Sequence, residues 1–225
     1  MTRFRFLALA APALAIAVVL SGCGVASHPA ATVGGHDISL TSFQDDLSHF
    51  RDNKQFRNVY QQQIGSPLTH TDGTVDSRWS AIWLTQLVEL QLTDNLFAQR
   101  HLTTSATDRQ GAQQQADQFF GSAAVFNAFP ASFRNEFIDK LARFQALARD
   151  ITQTAPDQTT AQNRLSTELL GALRKANVRV NPRFGTVDLT SQGFQISPPK
   201  APNVQEQRGT TTTTGTPLLG TTPGG

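Results

Sequence analysis

The chain has 225 residues, of which 39% are hydrophobic and 16% are charged. This composition fits one domain of ordinary size with appendages, and its apolar fraction is too high for a fully disordered protein. The formal net charge is +2, but Arg3 and Arg5 lie in a segment that we expect to be removed, which leaves 17 basic and 17 acidic residues. Because no overall basic excess remains, we expect no nucleic acid partner. The single cysteine, Cys23, can form neither an internal disulfide nor a Cys-based zinc site.

The N-terminus has the parts of a secretory signal peptide. Two arginines supply positive charge, an apolar run over residues 6–20 is interrupted only by Pro12, and small residues follow. At about 15 residues, this run is shorter than the roughly 20 that a membrane-spanning helix needs. We therefore predict that residues 1–22 are a signal peptide.

The tetrapeptide Leu20-Ser21-Gly22-Cys23 resembles the lipobox of bacterial lipoproteins. This resemblance implies that the peptide before Cys23 is removed and that the cysteine carries acyl chains such as palmitate. Two or more acyl chains hold a protein stably at a membrane. We expect a lipoprotein on the extracytoplasmic face of the cell membrane, with residues 23–30 as a lipidated tether. The alternatives are a secreted protein with a free thiol and an uncleaved anchor.

The rest of the chain is predicted to be mostly α, with about five helices. Ala31-Thr32-Val33 is β-prone and precedes Gly34-Gly35, a dipeptide suited to a tight turn. Apolar residues then recur at helical spacing in five stretches. The predicted helices begin near Ser39 and span 77–102, 106–120, 130–150 and 159–176, and a long loop is predicted over 61–76.

A short β pairing is predicted to join the two ends of a domain that spans residues 31–196. Val178-Arg179-Val180 alternates like a strand, and we expect Val33 to pair antiparallel with Val178 or Val180. The helices are expected to pack around six residues, Trp83, Leu87, Leu90, Phe137, Leu141 and Leu169. Residues 197–225 are rich in Thr, Pro and Gly and are predicted to be a disordered tail, open to O-glycosylation.

No pattern in the sequence is typical of a catalytic site. A Gly-x-Ser-x-Gly nucleophile elbow and a Gly-x-x-x-x-Gly-Lys phosphate loop are both missing. Asp45, Asp46 and His49 share a helix face and could hold part of a metal site, but such a set is more often a solvated polar face. Asp72-Gly73-x-x-Asp76 lacks the alternating acidic positions of a calcium loop and is better explained as a turn. We predict a protein that is not an enzyme and has no cofactor, metal or small-molecule ligand.

Three segments carry a family resemblance through their order and spacing. The first segment, residues 31–43, is predicted to form a strand, a Gly-Gly turn, an Ile-Ser cap and the start of a helix. The second, residues 84–92, is an apolar helix that is followed by a capping segment at 102–106. The third, residues 178–185, is a strand and a turn. Together they resemble the N-terminal domain of the SurA/PrsA class of extracytoplasmic foldases. The last segment is similar to the closing strand of SurA-like lipoproteins in Gram-positive bacteria, notably actinobacteria. The resemblance covers about residues 31–188 and implies a chaperone-like domain whose last strand pairs with its first.

Two features depart from that family. Gly34 stands where the family has asparagine, which is a mild change in a tight turn. More importantly, the chain has no room for a parvulin prolyl isomerase domain, because only a few residues separate the helices near 152–157. The resemblance therefore implies a chaperone-like protein without isomerase activity.

Aromatic residues are the candidates for client binding. Phe119, Phe120, Phe126 and Phe129 lie at a helix end or in a loop rather than on a regular apolar stripe, so they could line an exposed groove. Trp79 is added as a fifth candidate. The alternatives are that the loop folds back over the core and that Trp79 packs inward.

Two functions fit these observations. The first is a membrane-anchored holdase that binds unfolded or apolar segments of secreted proteins. The second is a non-catalytic scaffold lipoprotein that binds one specific cell-envelope partner. A solute-binding lipoprotein is a weaker third, because the chain offers too few strands for two α/β lobes.

Overall fold

The structure, a computed structural model, describes residues 28–189 and 193–199. Seven helices hold 64% of these residues, which confirms the predicted mostly α class. The helices are α1 (Leu40–Asp52), α2 (Lys54–Ile64), α3 (Ser77–Gln99), α4 (Ala106–Phe119), α5 (Ala123–Asn127), α6 (Ala131–Thr154) and α7 (Gln158–Lys175). The strands are β1 (Ala31–Val33), β2 (His36–Ile38), β3 (Arg179–Val180), β4 (Thr186–Leu189) and β5 (Phe194–Ser197). Within the described ranges, every helix is too short or too polar to cross a membrane.

Capping side chains fix where the helices begin. The carboxylate of Asp76 accepts the Arg78 backbone N–H at 2.7 Å, and that of Asp157 accepts the Thr160 backbone N–H at 2.8 Å. Ser105 and Asp108 form a reciprocal capping box at the start of α4. The predicted starts of the helices agree with these caps to within a few residues.

The first helical region is split in two at Asn53, a break that the sequence analysis missed. Asn53 ends α1 and caps α2, since its side-chain oxygen accepts the Phe56 backbone N–H at 3.0 Å. Its side-chain amide also donates to the Val125 carbonyl at 3.2 Å, which ties the break to α5. The predicted loop over 61–76 is wrong at its start, because α2 continues to Ile64.

A three-stranded antiparallel sheet, in the order β2-β1-β3, joins the ends of the domain. The predicted pairing of first and last strands is confirmed, but in a different register: Val180 pairs with Ala31, and Val33 pairs with His36 of β2. Gly34 makes the β1–β2 turn with a φ of 60°. Its backbone N–H donates to the Ala176 carbonyl at 2.7 Å, so the turn lies against the end of α7.

A β4–β5 hairpin follows the sheet and was not predicted. It pairs Thr186 with Ser197 and Val187 with Ile196. The hairpin is held on α3, where the Thr85 hydroxyl oxygen accepts the Ile196 backbone N–H at 3.0 Å. Ser197 therefore belongs to the fold, while residues 200–225 of the predicted tail lie outside the described residues.

The predicted core is correct in five of its six positions. Trp83, Leu87, Leu90, Phe137 and Leu141 are all buried. Leu169 is only half-buried, and Leu173, one turn further along α7, is buried in its place.

Two glycines are expected to respond oppositely to alanine. Gly185 has a φ of 133°, and an added Cβ would collide with the Ser197 carbonyl oxygen, so Gly185→Ala should destabilise the hairpin by about 2 kcal/mol or more. Gly171 lies inside α7 with open space around its Cβ position, so Gly171→Ala should stabilise the protein by about 0.5–1 kcal/mol. Urea unfolding followed by circular dichroism measures both. Equal effects of the two substitutions would contradict the hairpin geometry.

Candidate functional site

Four of the five candidate client-binding residues are buried, so these side chains do not form an exposed aromatic groove. Phe120 and Phe126 have no exposed surface, Phe129 is 3% exposed and Trp79 is 7% exposed. Phe119 is half-buried. The alternative weighed from the sequence, that this segment folds back over the core, describes the structure.

These residues belong to an aromatic cluster whose side chains come from α1 to α6 and the adjoining turns. Phe50 lies near its centre, with ring centroids 4.8 Å from Trp83, 5.2 Å from Trp79 and 5.6 Å from Phe129. Phe120 stacks on Phe126 at 5.2 Å. The other members are Phe56, Tyr60, Phe119, Phe133 and Phe137. Phe126 lies on α5, which has only five residues. A helix this short gives no repeated apolar spacing in the sequence, so the spacing does not predict that Phe126 is buried.

A groove lies on the surface between α3 and α7, and we call it the α3–α7 groove. It encloses about 590 Å³, within the range of ligand-binding clefts. Leu92, Leu96 and Ala172 form its apolar wall. The missing side chain of Gly171 leaves the groove open, since nothing lies within 4 Å of where its Cβ would be.

Polar groups surround the α3–α7 groove. His36, Asn95, Gln99, Glu168 and Lys175 line its rim. The Asn95 side chain is held by Gln91, which donates to it at 3.2 Å. Glu168 pairs with Arg100, which also pairs with Asp150 of α6, so this side of the groove is braced by two helices. Such a cleft can accept an apolar segment and hydrogen-bond to its backbone.

A second, smaller groove of about 390 Å³ lies between α1 and the turn at Phe184. Leu47, Val75 and Phe184 give it apolar walls, and Arg183 lies at its edge. The Phe184 ring contacts Phe43 edge-on at 4.8 Å, so this groove rests on the core. Pro199, the last described residue, lines it as well.

The predicted polar face of α1 is partly buried rather than solvated. Asp46 accepts the Trp83 indole N–H at 2.9 Å and connects α1 to α3. Burial raises the pKa of Asp46 to about 6, although the indole N–H acts in the opposite direction. The His49 ring packs near Phe133 at 5.7 Å. In the part of the chain that the structure describes, no three His, Cys, Asp or Glu side chains are arranged to hold a metal ion.

Glu89 is an acidic residue that sequence reasoning missed. It lies on α3 among apolar residues, is half-buried, and makes no ion pair or side-chain hydrogen bond with any described residue. Desolvation by burial raises its pKa to about 8. Thr85, one turn earlier, holds the β4–β5 hairpin, and Gln86 beside it is buried with an unpaired side-chain nitrogen. Burial of the Glu89 carboxyl therefore favours its protonated form.

Cys23, the predicted lipid attachment site, lies outside the described residues. Comparison with protein-family models, with curated proteins and with solved structures finds no match. The resemblance of the sequence to the SurA/PrsA class therefore stays a prediction.

Truncating a ring of the aromatic cluster should unfold the protein rather than remove a binding surface. We expect Phe126→Ala to lower the free energy of unfolding by about 3–5 kcal/mol, because it leaves a cavity at a fully buried position. Ile82→Ala, at a residue that is 37% exposed, is the control and should cost under about 1 kcal/mol. Urea titrations measure both, and similar small losses would show that Phe126 is not part of the core.

Glu89 should make stability fall as pH rises. Below its ordinary pKa of 4.5 the carboxyl is protonated in both folded and unfolded chains. Between 4.5 and about 8 the unfolded chain has lost the proton and the folded one keeps it, so stability falls by at most about 1.4 kcal/mol per pH unit. Above about 8 the loss is complete.

Replacing the carboxyl with an amide isolates this effect. Glu89→Gln should flatten the stability profile between pH 5 and about 8 and should make the protein more stable than the wild type at the upper end. Glu136→Gln is the control, because the Glu136 side chain is 69% exposed. Urea unfolding at several pH values gives the profiles, and parallel curves for the wild type and Glu89→Gln would contradict the buried carboxyl.

Proposed function

We propose that this chain is a lipid-anchored, extracytoplasmic chaperone-like protein that holds apolar polypeptide segments without catalysing a reaction. The observation that carries the proposal is the α3–α7 groove, with its apolar wall and polar rim on a braced helical domain. Side chains of a client would contact Leu92, Leu96 and Ala172, and its backbone would hydrogen-bond at the rim. This binding needs neither a catalytic residue nor a cofactor.

The fold is consistent with the chaperone-like domain that the sequence resembles. A mostly helical body is joined at its ends by the pairing of β1 with β3, as the resemblance implies. We place the client surface in the α3–α7 groove rather than at Phe119 to Phe129, because most of those rings are buried in the core. Cys23 and the membrane anchor remain part of the proposal.

A single envelope partner is the second candidate function, and the small amount of exposed apolar surface favours it. Within the described residues, the large apolar side chains classed as exposed are Ile64, Ile82 and Leu189. A general holdase presents broad apolar surface to many clients, whereas one shaped groove suits one partner segment. The two candidates differ in how many unrelated proteins the chain protects.

Filling the groove is the test. Gly171→Leu should project a side chain into the α3–α7 groove, because nothing lies within 4 Å of the Gly171 Cβ position. We expect it to raise the concentration of chain needed to suppress aggregation of two unrelated unfolded proteins by about tenfold, equivalent to about 1.4 kcal/mol of binding. Light scattering measures the suppression, and thermal melts check that the variant is folded.

Ser166→Leu is the matched control, since it adds the same apolar side chain at an exposed position of α7 that does not line the groove. Suppression by the wild type that survives in Gly171→Leu would remove the groove from the proposal. No suppression of either client by the wild type would reject the holdase. Crosslinking in cells through a photoreactive residue at Gln99, on the groove rim, would then search for a single partner.

A further inference from the structure

Four basic side chains between residues 174 and 183 are exposed and form no ion pair with another described residue. They are Arg174, Lys175, Arg179 and Arg183. The guanidinium of Arg183 lies 5.4 Å from the centroid of the Phe184 ring. Elsewhere, six arginines pair with acidic side chains, Arg51, Arg78, Arg100, Arg109, Arg143 and Arg149. Lys54, Arg57, Arg134 and Arg164 also form no ion pair with a described residue, but they are spread over α2, α6 and the first half of α7, whereas the four cations described here lie within ten residues of the chain.

The sheet places these four residues beside the start of the described chain. Arg179 lines the same shallow hollow as His28. The Asn181 backbone N–H, close to Arg183, donates to the Ala30 carbonyl at 3.0 Å. The end of α7, which carries Arg174 and Lys175, is held against the β1–β2 turn at Gly34.

The acidic residue of this sheet is Asp37 on β2. Its carboxylate accepts the Thr32 hydroxyl at 2.7 Å, and Thr32 pairs with Arg179 on the other side. Glu168 lines the α3–α7 groove together with Lys175, but it pairs with Arg100, so the four cations outnumber the two carboxylates of their sheet and grooves. We call the surface formed by Arg174, Lys175, Arg179 and Arg183 the basic end.

A lipid on Cys23 would hold the basic end close to a membrane. Four residues separate Cys23 from His28, so the five Cα–Cα steps between them span at most about 18 Å when fully extended. Charges on an exposed surface interact over a Debye length of about 10 Å at 0.1 M salt. A lipid at Cys23 would therefore keep His28 within about two Debye lengths of the headgroups.

We propose that the basic end docks on anionic lipid headgroups, which adds an electrostatic contact to the anchor at Cys23. The inference rests on the lipid anchor of the proposed function. A basic residue near an anionic bilayer strengthens binding by about fivefold. Several such residues beside a lipid chain supply a second membrane contact, and they orient the domain with the β1–β3 pairing toward the bilayer.

The single cysteine allows a direct measurement. The chain from Cys23 onward is coupled at that cysteine to a maleimide lipid with one acyl chain, which alone gives marginal, reversible membrane binding. Partition is measured by flotation with phosphatidylcholine vesicles and with vesicles that also contain phosphatidylglycerol. We expect about tenfold to hundredfold stronger partition to the anionic vesicles at 0.1 M salt, falling toward parity at 1 M.

A triple variant and a matched control locate the effect. Arg174→Gln, Lys175→Gln and Arg179→Gln together should reduce the preference for anionic vesicles by about tenfold or more. Arg183 is kept because it contacts the core residue Phe184. Arg109→Gln, Lys140→Gln and Arg164→Gln change the net charge equally, on α4, on α6 and in the first half of α7, and should leave the preference intact.

Parity between the two vesicle types, or equal loss in both triple variants, would overturn the proposal. A chain that ignores anionic vesicles but binds poly-glutamate through the same three residues would indicate an acidic protein partner instead. The lipid is attached chemically and no client is present. The result of this experiment therefore does not depend on natural lipidation or on client binding, and a failure of either one would be seen separately.

Discussion

The aromatic cluster is the constraint on which the fold depends. Helices α1 to α6 each place at least one ring near Phe50 or Phe120, and both of these side chains are fully buried. Rings are large, rigid and preferentially packed edge to face, so each one restricts the position of its neighbours. Phe50 meets Trp79, Trp83, Phe129 and Phe133 nearly perpendicular. Because the phenylalanines of the α4–α6 region are used in this packing, a client segment of the proposed kind would have to bind elsewhere on the fold, where large side chains are lacking.

The α3–α7 groove is such a place, and small residues create it. Gly34, Gly171 and Ala172 let α7 and the β1–β2 turn approach α3 while a channel stays open between them. The Arg100 pairs with Asp150 and Glu168 keep the walls in position from outside. A surface of this kind gains affinity from shape and backbone hydrogen bonds more than from apolar area. A groove of this kind would be selective for a segment that fits it, whereas a broad apolar face would accept many different segments.

Local signals determined how much could be predicted from the sequence. Long periodic stripes and caps located α3, α6 and α7, and the strand patterns located the pairing of β1 with β3. The break at Asn53 was missed although its cap on Phe56 is local, because the apolar spacing of α1 gives no sign of it, and the bond that ties Asn53 to Val125 spans 72 residues. Burial of Phe126 was left open because it is decided by packing against Phe120 rather than by periodicity. The β4–β5 hairpin did leave a signal, the alternation at Val187, Leu189, Phe194 and Ile196, but its strands of four residues are short.

The last strand of the three-stranded sheet, β3, follows directly after α7 and so places the basic end next to the α3–α7 groove. Pairing of β3 with β1 sets the basic end beside the start of the described chain, and Lys175 belongs both to that end and to the rim of the α3–α7 groove. A domain that docks on headgroups through these residues would hold the groove near the bilayer surface. A segment leaving the membrane would then meet the groove before it could meet another unfolded chain, since the tether keeps the local concentration of binding sites high. Weak binding in the groove would be sufficient for such a role, and orientation at the membrane would matter as much as affinity.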